Sequence, residues 1–329
     1  MDVDAFIAVH RSDWQRLDDL VGRRRLDGAE SDELLVLYQR VSTHLSIIRS
    51  VDPESALSGA LSTRLSRART RFTGAKSNTM EDIAQFFVFS LPAAFYRIRW
   101  LTAVVGVLFI AVAWLYALWV GTPGVIQALG PDEELRRYVE EDFVDYYSEN
   151  PAASFAGLVW TNNAWIALQA VAFGVTGIWP VFILYQNAQG VGMAAGMMAS
   201  YDRLDTFFVY ILPHGFMELT AIFIAAAAGL RIFWAWVAPG RRPRAAALAE
   251  EGRALITVAL GLVLVLLVSG LVEGFVTPSG LPPWLRLGIG FLVFAAYWAY
   301  TLILGRRAVA AGHRGDLGAV DRGEAVVTA

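Results

Sequence analysis

Hydrophobic positions follow two regimes along the chain. In residues 1–99 they recur at helical spacing among charges. In DAFIAVHRSDWQRLDDLV, Phe6, Val9, Trp14, Leu17 and Leu20 share one stripe, and SDELLVLYQRVSTHLSIIRS repeats it with Leu34, Leu37, Val41, Leu45 and Ile48. Asp52 and Pro53 read as the N-cap and N1 of a third helix, which closes in an Arg-rich turn before Gly74. The pattern predicts a small helical domain over 1–75. MEDIAQFFVFSLPAAFYRIRW, interrupted at Pro92 and ending with Arg97 and Arg99, predicts an interfacial lead-in over 76–100.

Beyond residue 100 charges become rare. Leu101 to Val120 contains none, about 30 Å of helix, with Trp100 and Trp119 as interface anchors. The uncharged stretch between Asn150 and Tyr201 would extend about 78 Å as one helix, more than twice a bilayer core. It must fold back, and Gly174, Gly177 and Pro180 mark the turn of a hairpin with spans near 154–174 and 179–199. Further spans are predicted near 207–237, 254–272 and 287–304. The expected fold is an all-α polytopic membrane helix bundle of about six spans over 101–304, with an N-terminal cytoplasmic helical domain and a cytoplasmic tail, 305–329, expected to be disordered.

Composition agrees with the pattern. A chain that is 56% hydrophobic with 11 Trp is too apolar for an ordinary soluble domain. Its net charge of -3 and scattered basic residues offer nucleic acid no footprint. The acidic N-terminus never reaches a long apolar core, so no cleavable signal peptide is expected. The absence of cysteine excludes disulfides and thiolate metal sites. Arg97, Arg99, the GRRPR segment (240–244), Arg253, Arg306, Arg307 and Arg314 flank the spans on one predicted side. The segment Asp132 to Glu149 carries eight acids on the other, so the positive-inside rule puts both termini in the cytoplasm. Within it, Pro131 at N1 and Leu135, Tyr138, Val139, Phe143, Tyr146 and Tyr147 at helical spacing predict an external amphipathic helix over 131–148, either capping the bundle or docking a partner.

The candidate chemistry lies in FVYILPHGFMELTAIFIAAAAGL. His214 and Glu218 are one turn apart on one helix face, where Pro213 and Gly215 loosen the backbone ladder. Ionisable groups inside a span are costly and face the protein interior. The pair reads as an inter-helix hydrogen-bond clamp, with a proton or substrate site as the second reading. A metal is the least favoured, because one His and one Glu supply too few ligands and His10, His44 and His313 lie elsewhere. Glu273 sits at the outer end of span five, either interfacial or, turned inward, a second carboxylate. Asn162, Asn163, Gln169, Gln186, Asn187 and Gln189 read as inter-helix hydrogen-bonding groups. Gly190, Gly192 and Gly196 read as a close-packing face, and Arg231 as a snorkelling or helix-end cation. No phosphate loop, nucleophile elbow or His-Glu-x-x-His helix is present, so neither an enzyme nor a cofactor is expected.

LPHGFMELTAIFIAAAAGLRI (212–232), VWTNNAWIALQAVAFGVTGIWPVFILYQNAQGVGM (159–193) and GLVEGFVTPSG (270–280) closely resemble the stage II sporulation protein M family of bacterial multi-pass membrane proteins. The motif from Pro213 to Glu218 is the most specific part, and Gly229 and Arg231 close the same segment. Asn187-Ala188 departs from the family's usual Asn-Gly. The resemblance implies a scaffold in the bacterial cytoplasmic membrane that organises cell-wall hydrolases outside. It also implies coupling to a MoxR-type AAA+ ATPase system inside, with self-association left open. The alternative is a permease or channel-like protein whose polar path His214, Glu218 and Glu273 would line.

Overall fold

The computed structural model describes residues 3–23, 26–52, 55–72 and 79–316, which form helices joined by short turns and loops, with no strand among them. The chain divides into two compact units, Met1–Asp82 and Ile83–Ala329.

The first unit contains α1 (Val3–Gly22), α2 (Gly28–Val51) and α3 (Ala56–Phe72). Asp27 opens α2 with a capping box, its carboxylate accepting from the Glu30 backbone while Glu30 reaches back to the Asp27 N–H. Trp14, Leu17, Leu20, Leu34, Leu37, Val41, Leu45, Ile48, Leu61, Leu65 and Ala68 form its core. Val9 does not join them and is 70% exposed, because α1 turns that position away from α2. Asp52 closes α2 as its C-cap rather than opening α3, and Pro53 and Gly74 lie outside the described residues.

The second unit begins at Ile83, within α4 (Thr79–Gln85), which runs through a π-turn at Phe86–Ser90 into α5 (Leu91–Val120). Pro92 therefore does not interrupt this segment. It falls in the first turn of α5, where the missing N–H and the ring are absorbed by the wider preceding turn. Then come α6 (Pro123–Leu129), α7 (Asp132–Arg137), a π-turn at Tyr138–Asp142 and α8 (Phe143–Asp145). Pro131 is the N-cap residue here, one position before the expected N1. α9 (Ala152–Ala172) and α10 (Ile178–Ser200) form a hairpin around a 3₁₀ turn at Gly174–Thr176 and Gly177, whose φ of 70° suits glycine. α11 (Leu204–Val237) follows, then α12 (Arg244–Leu271) with a π-turn at Val272–Val276. α13 (Pro283–Ala299) passes through a π-turn at Tyr300–Leu304 into α14 (Gly305–Ala310). Residues 305–316 belong to the bundle and not to a loose tail. Gly305 packs on the Pro92 carbonyl, Gly315 on Ala94, and Arg253 reaches Asp316 at 3.4 Å. Residues 317–329 lie outside the described residues.

α11 is the axis of this unit and packs against α5, α9, α10, α12 and α13. Among the described residues four helices are long and apolar enough to cross a membrane: Met80–Val120, Leu204–Val237, Arg244–Val276 and Pro283–Ala310. α9 and α10, uncharged and 21 and 23 residues long, are not among the four, since their amides and small residues dilute the apolar content. Outward surfaces of the bundle are apolar, with Val107, Leu108, Trp114, Leu115, Phe291 and Leu292 more than half exposed. An apolar surface of that extent is stable against hydrocarbon and not against water.

Glycine sets the helix spacing. A Cβ on Gly192 would lie 2.3 Å from the Ala113 carbonyl oxygen, and one on Gly196 2.7 Å from that of Ala117, so α10 meets α5 backbone to backbone. Gly190 faces open space and takes no part in that contact. Gly229 sits against the Ala170 carbonyl oxygen, where a Cβ would lie 2.4 Å away, and this seats the hairpin turn on α11.

Candidate functional site

The acidic segment and the Pro213–Glu218 motif meet at one end of α11. Leu135, Val139, Phe143 and Tyr147, spaced by four, are buried, and Val139, Phe143 and Tyr147 pack with Phe155, Val159, Met198 and Phe207. All eight acids from Asp132 to Glu149 are exposed on the opposite face. The Tyr147 ring lies 5.8 Å from that of His214 and 5.4 Å from that of Tyr210, so this segment roofs the motif. Burial raises the titration range of the Tyr147 phenol and keeps it a neutral hydroxyl.

Beneath that roof, α11 supplies His214 and Glu218, and the π-turn at the end of α12 supplies Glu273. The wide turn rotates Glu273 inward, leaving it 4% exposed, so it is a core carboxyl and not an interfacial one. His214 Nε2 lies 3.8 Å from Glu273 Oε1. Its Nδ1 lies 3.2 Å from Thr277 Oγ1, and that hydroxyl donates to the Val272 carbonyl at 3.4 Å. Ser269 Oγ donates to the His214 carbonyl at 3.1 Å. Glu218 lies beside Glu273 and Asn163, and its carboxylate, the Glu273 carboxylate and the His214 ring each offer an atom within 4.8 Å of the others. Two carboxyls that close need a proton or a cation between them. The Oε2 atoms of Glu218 and Glu273 are buried and have no hydrogen-bond partner among the described residues.

Arg286, at the start of α13, completes the surroundings. It is 8% exposed, donates to the Thr277 carbonyl at 2.7 Å, and lies 5.2 Å from the centre of the Tyr210 ring. Sequence reasoning missed Arg286, Ser269 and Thr277. The signal for Arg286 was its isolation as one charge in the apolar PPWLRLGIG run.

The expected polar residues divide. Asn163 is buried in the cluster, whereas Asn162 and Gln186 are exposed on the outer faces of the hairpin. Asn187 donates to the Ile183 carbonyl of its own helix at 2.8 Å. Pro213 and Gly215 keep α11 continuous. The Pro213 carbonyl packs on Gly290, where a Cβ would sit 2.1 Å from its oxygen, and Gly215 lies against its own helix at Ile211. An expectation against metal counted only His214 and Glu218, but Glu273 adds a third group, each offering an atom within 4.8 Å of the others.

Arg231, at the opposite end of α11, does more than snorkel. Its guanidinium grips Glu251 twice, at 2.6 and 3.1 Å, and donates to the Arg97 carbonyl at 3.3 Å. Arg97 also pairs with Glu251 at 3.1 Å, while Glu250 takes Arg242 at 2.6 Å and Arg314 at 3.1 Å. The Arg-rich segments gather at this end and the acidic segment at the other.

A family model described as Stage II sporulation protein M matches residues 101–278, and one described as Domain of unknown function (DUF8413) matches residues 4–74. Comparison with curated proteins and with solved structures returns no match.

Proposed function

The chain belongs to the stage II sporulation protein M family, and on that premise we propose that it is a non-enzymatic scaffold of the bacterial cytoplasmic membrane. It organises envelope or cell-wall remodelling partners outside and joins them to a cytoplasmic partner. The observation that carries this reading is the acidic segment. Its buried seam fixes it to the bundle, so the eight outward acids form a preorganised surface, suited to a partner with a basic face.

In this reading the bundle has six spans. α9 and α10 are supported as spans by where they pack. α9 starts beside Gly274, reaches Gly229 at its turn, and α10 returns to Gly121 beside Ser200. From His214 to Gly229 along α11 is about 22 Å, most of a bilayer core. The Arg-rich end faces the cytoplasm, with both termini there, and the helical unit over Met1–Asp82 supplies the cytoplasmic docking module. A MoxR-type AAA+ system is the partner the family resemblance suggests for it, and cell-wall hydrolases are the ones it suggests outside.

The test is co-purification from mild detergent. Reversing Glu140, Glu141 and Asp145 to Lys should remove the external partner and spare the cytoplasmic one, and deleting residues 1–75 should do the opposite. Retention of every partner by both variants would overturn the scaffold. A permease or channel would instead keep all partners and lose function in Glu218→Gln, since an amide cannot titrate.

A further inference from the structure

From the geometry around His214 we infer that His214 Nε2, Glu218 and Glu273 form a divalent metal site, zinc or manganese by its N/O donor set, inside the bundle. The hydrogen-bond order fixes the imidazole. Thr277 Oγ1 donates to the Val272 carbonyl, so it accepts from Nδ1–H, and the lone pair of His214 falls on Nε2. Nε2 then faces Glu273 Oε1, acceptor toward acceptor, at 3.8 Å. That spacing is too long for a hydrogen bond. It is close to the roughly 3.4 Å that separates two ligands held about 2.1 Å from a tetrahedral zinc ion. A metal-bound histidine characteristically donates its other nitrogen to an oxygen that orients the ring, the role Thr277 plays here.

Charge and satisfaction agree. Glu273 is buried to 4% exposure, and its Oε2, like that of Glu218, has no hydrogen-bond partner among the described residues. Two carboxylates and a neutral imidazole around a dication sum to zero charge, which removes the cost of burying either carboxylate alone. The three groups come from two elements, α11 and the π-turn after α12, so the ion would tie them together. Three protein ligands leave a fourth position for water or another donor.

The experiment uses the full chain in detergent, stripped with chelator and titrated separately with zinc and manganese, with bound metal read by mass spectrometry. One ion per chain is expected, together with a rise in Tm on binding. His214→Gln and Glu273→Gln should each weaken binding by at least about tenfold, since even loss of an outer-shell partner costs about that much. Gln186→Ala, on an outer face, should leave it unchanged. Stripped wild-type protein that takes up neither metal would overturn the site whether or not the variants fold. So would wild-type affinity in the doubly substituted chain, or a loss of binding that follows His44→Gln instead, because His10, Asp13 and His44 form a separate cluster in the first unit.

Discussion

The His214 imidazole and the Glu273 carboxyl lie 3.8 Å apart on different helices, and neither has its nearest charged partner on its own helix. An i,i+4 reading pairs His214 with Glu218. Packing instead gives Glu218 to Glu273 and Asn163, and gives the far side of His214 to Thr277. Partner choice here is decided between helices.

That arrangement predicts how α13 is anchored. Arg286 holds the Thr277 carbonyl and stacks near Tyr210, so Arg286→Met should leave that carbonyl unsatisfied at a cost of about 1–3 kcal/mol. Arg286→Lys should rescue only part of it, since an ammonium lacks the planar donor fork. Melting temperatures of both variants in detergent, measured with chelator present, give the comparison. Equal stability of Arg286→Met and wild type would refute the anchor.

The glycine contacts predict opposite signs at neighbouring positions. Gly192→Ala places a methyl 2.3 Å from the Ala113 carbonyl oxygen and should force α10 from α5, lowering the melting temperature. Gly190→Ala meets nothing within 4 Å and should stabilise by up to about 1 kcal/mol through helix propensity. A pair of thermal melts in one detergent suffices.

Glu251 is 6% exposed and serves both Arg97 and Arg231, whose side chains are 19% and 33% exposed. Glu251→Gln should therefore cost more than the ~1 kcal/mol of a surface pair, approaching the ~3–5 kcal/mol seen when a buried pair is broken. In a double-mutant cycle with Arg231→Gln, a coupling near zero would show that solvent already screens the pair.

The first unit should be acid-sensitive. Trp14 Nε1 donates to His44 Nδ1 at 3.2 Å, and the His10 ring lies 4.0 Å from that of His44. Burial first, and then His10, hold the His44 imidazole below its usual titration range. The unfolded chain takes up the proton near pH 6.5 while the folded unit resists it. Stability should thus be complete above about pH 6.5 and decline as pH falls below it. Hydrogen exchange of peptides over 30–48, corrected for intrinsic rate, would read this. His44→Asn should flatten the profile.

The sequence by itself determined the helical elements and where the chain becomes apolar enough to cross a membrane. Leu34, Leu37, Val41, Leu45 and Ile48 were legible as one buried stripe, because a 3.6-residue period is a local property of the chain. Long apolar stretches poor in charge marked segments able to cross a membrane, because burying a lone charge in hydrocarbon is costly wherever the chain goes. The turn at Gly174–Gly177 was legible for a similar reason, since φ above zero is a local demand on the residue. The tertiary structure alone decided which polar groups meet. Asn162 and Asn163 are adjacent and chemically identical, yet a rotation of 100° per residue sends one outward and the other to Glu218. Glu273 turns inward only because a π-turn inserts there, and Arg286 finds Thr277 only once α13 has docked. Periodicity fixes a side chain's direction relative to its own helix, whereas its partner depends on the rotation and register of every helix packed against it.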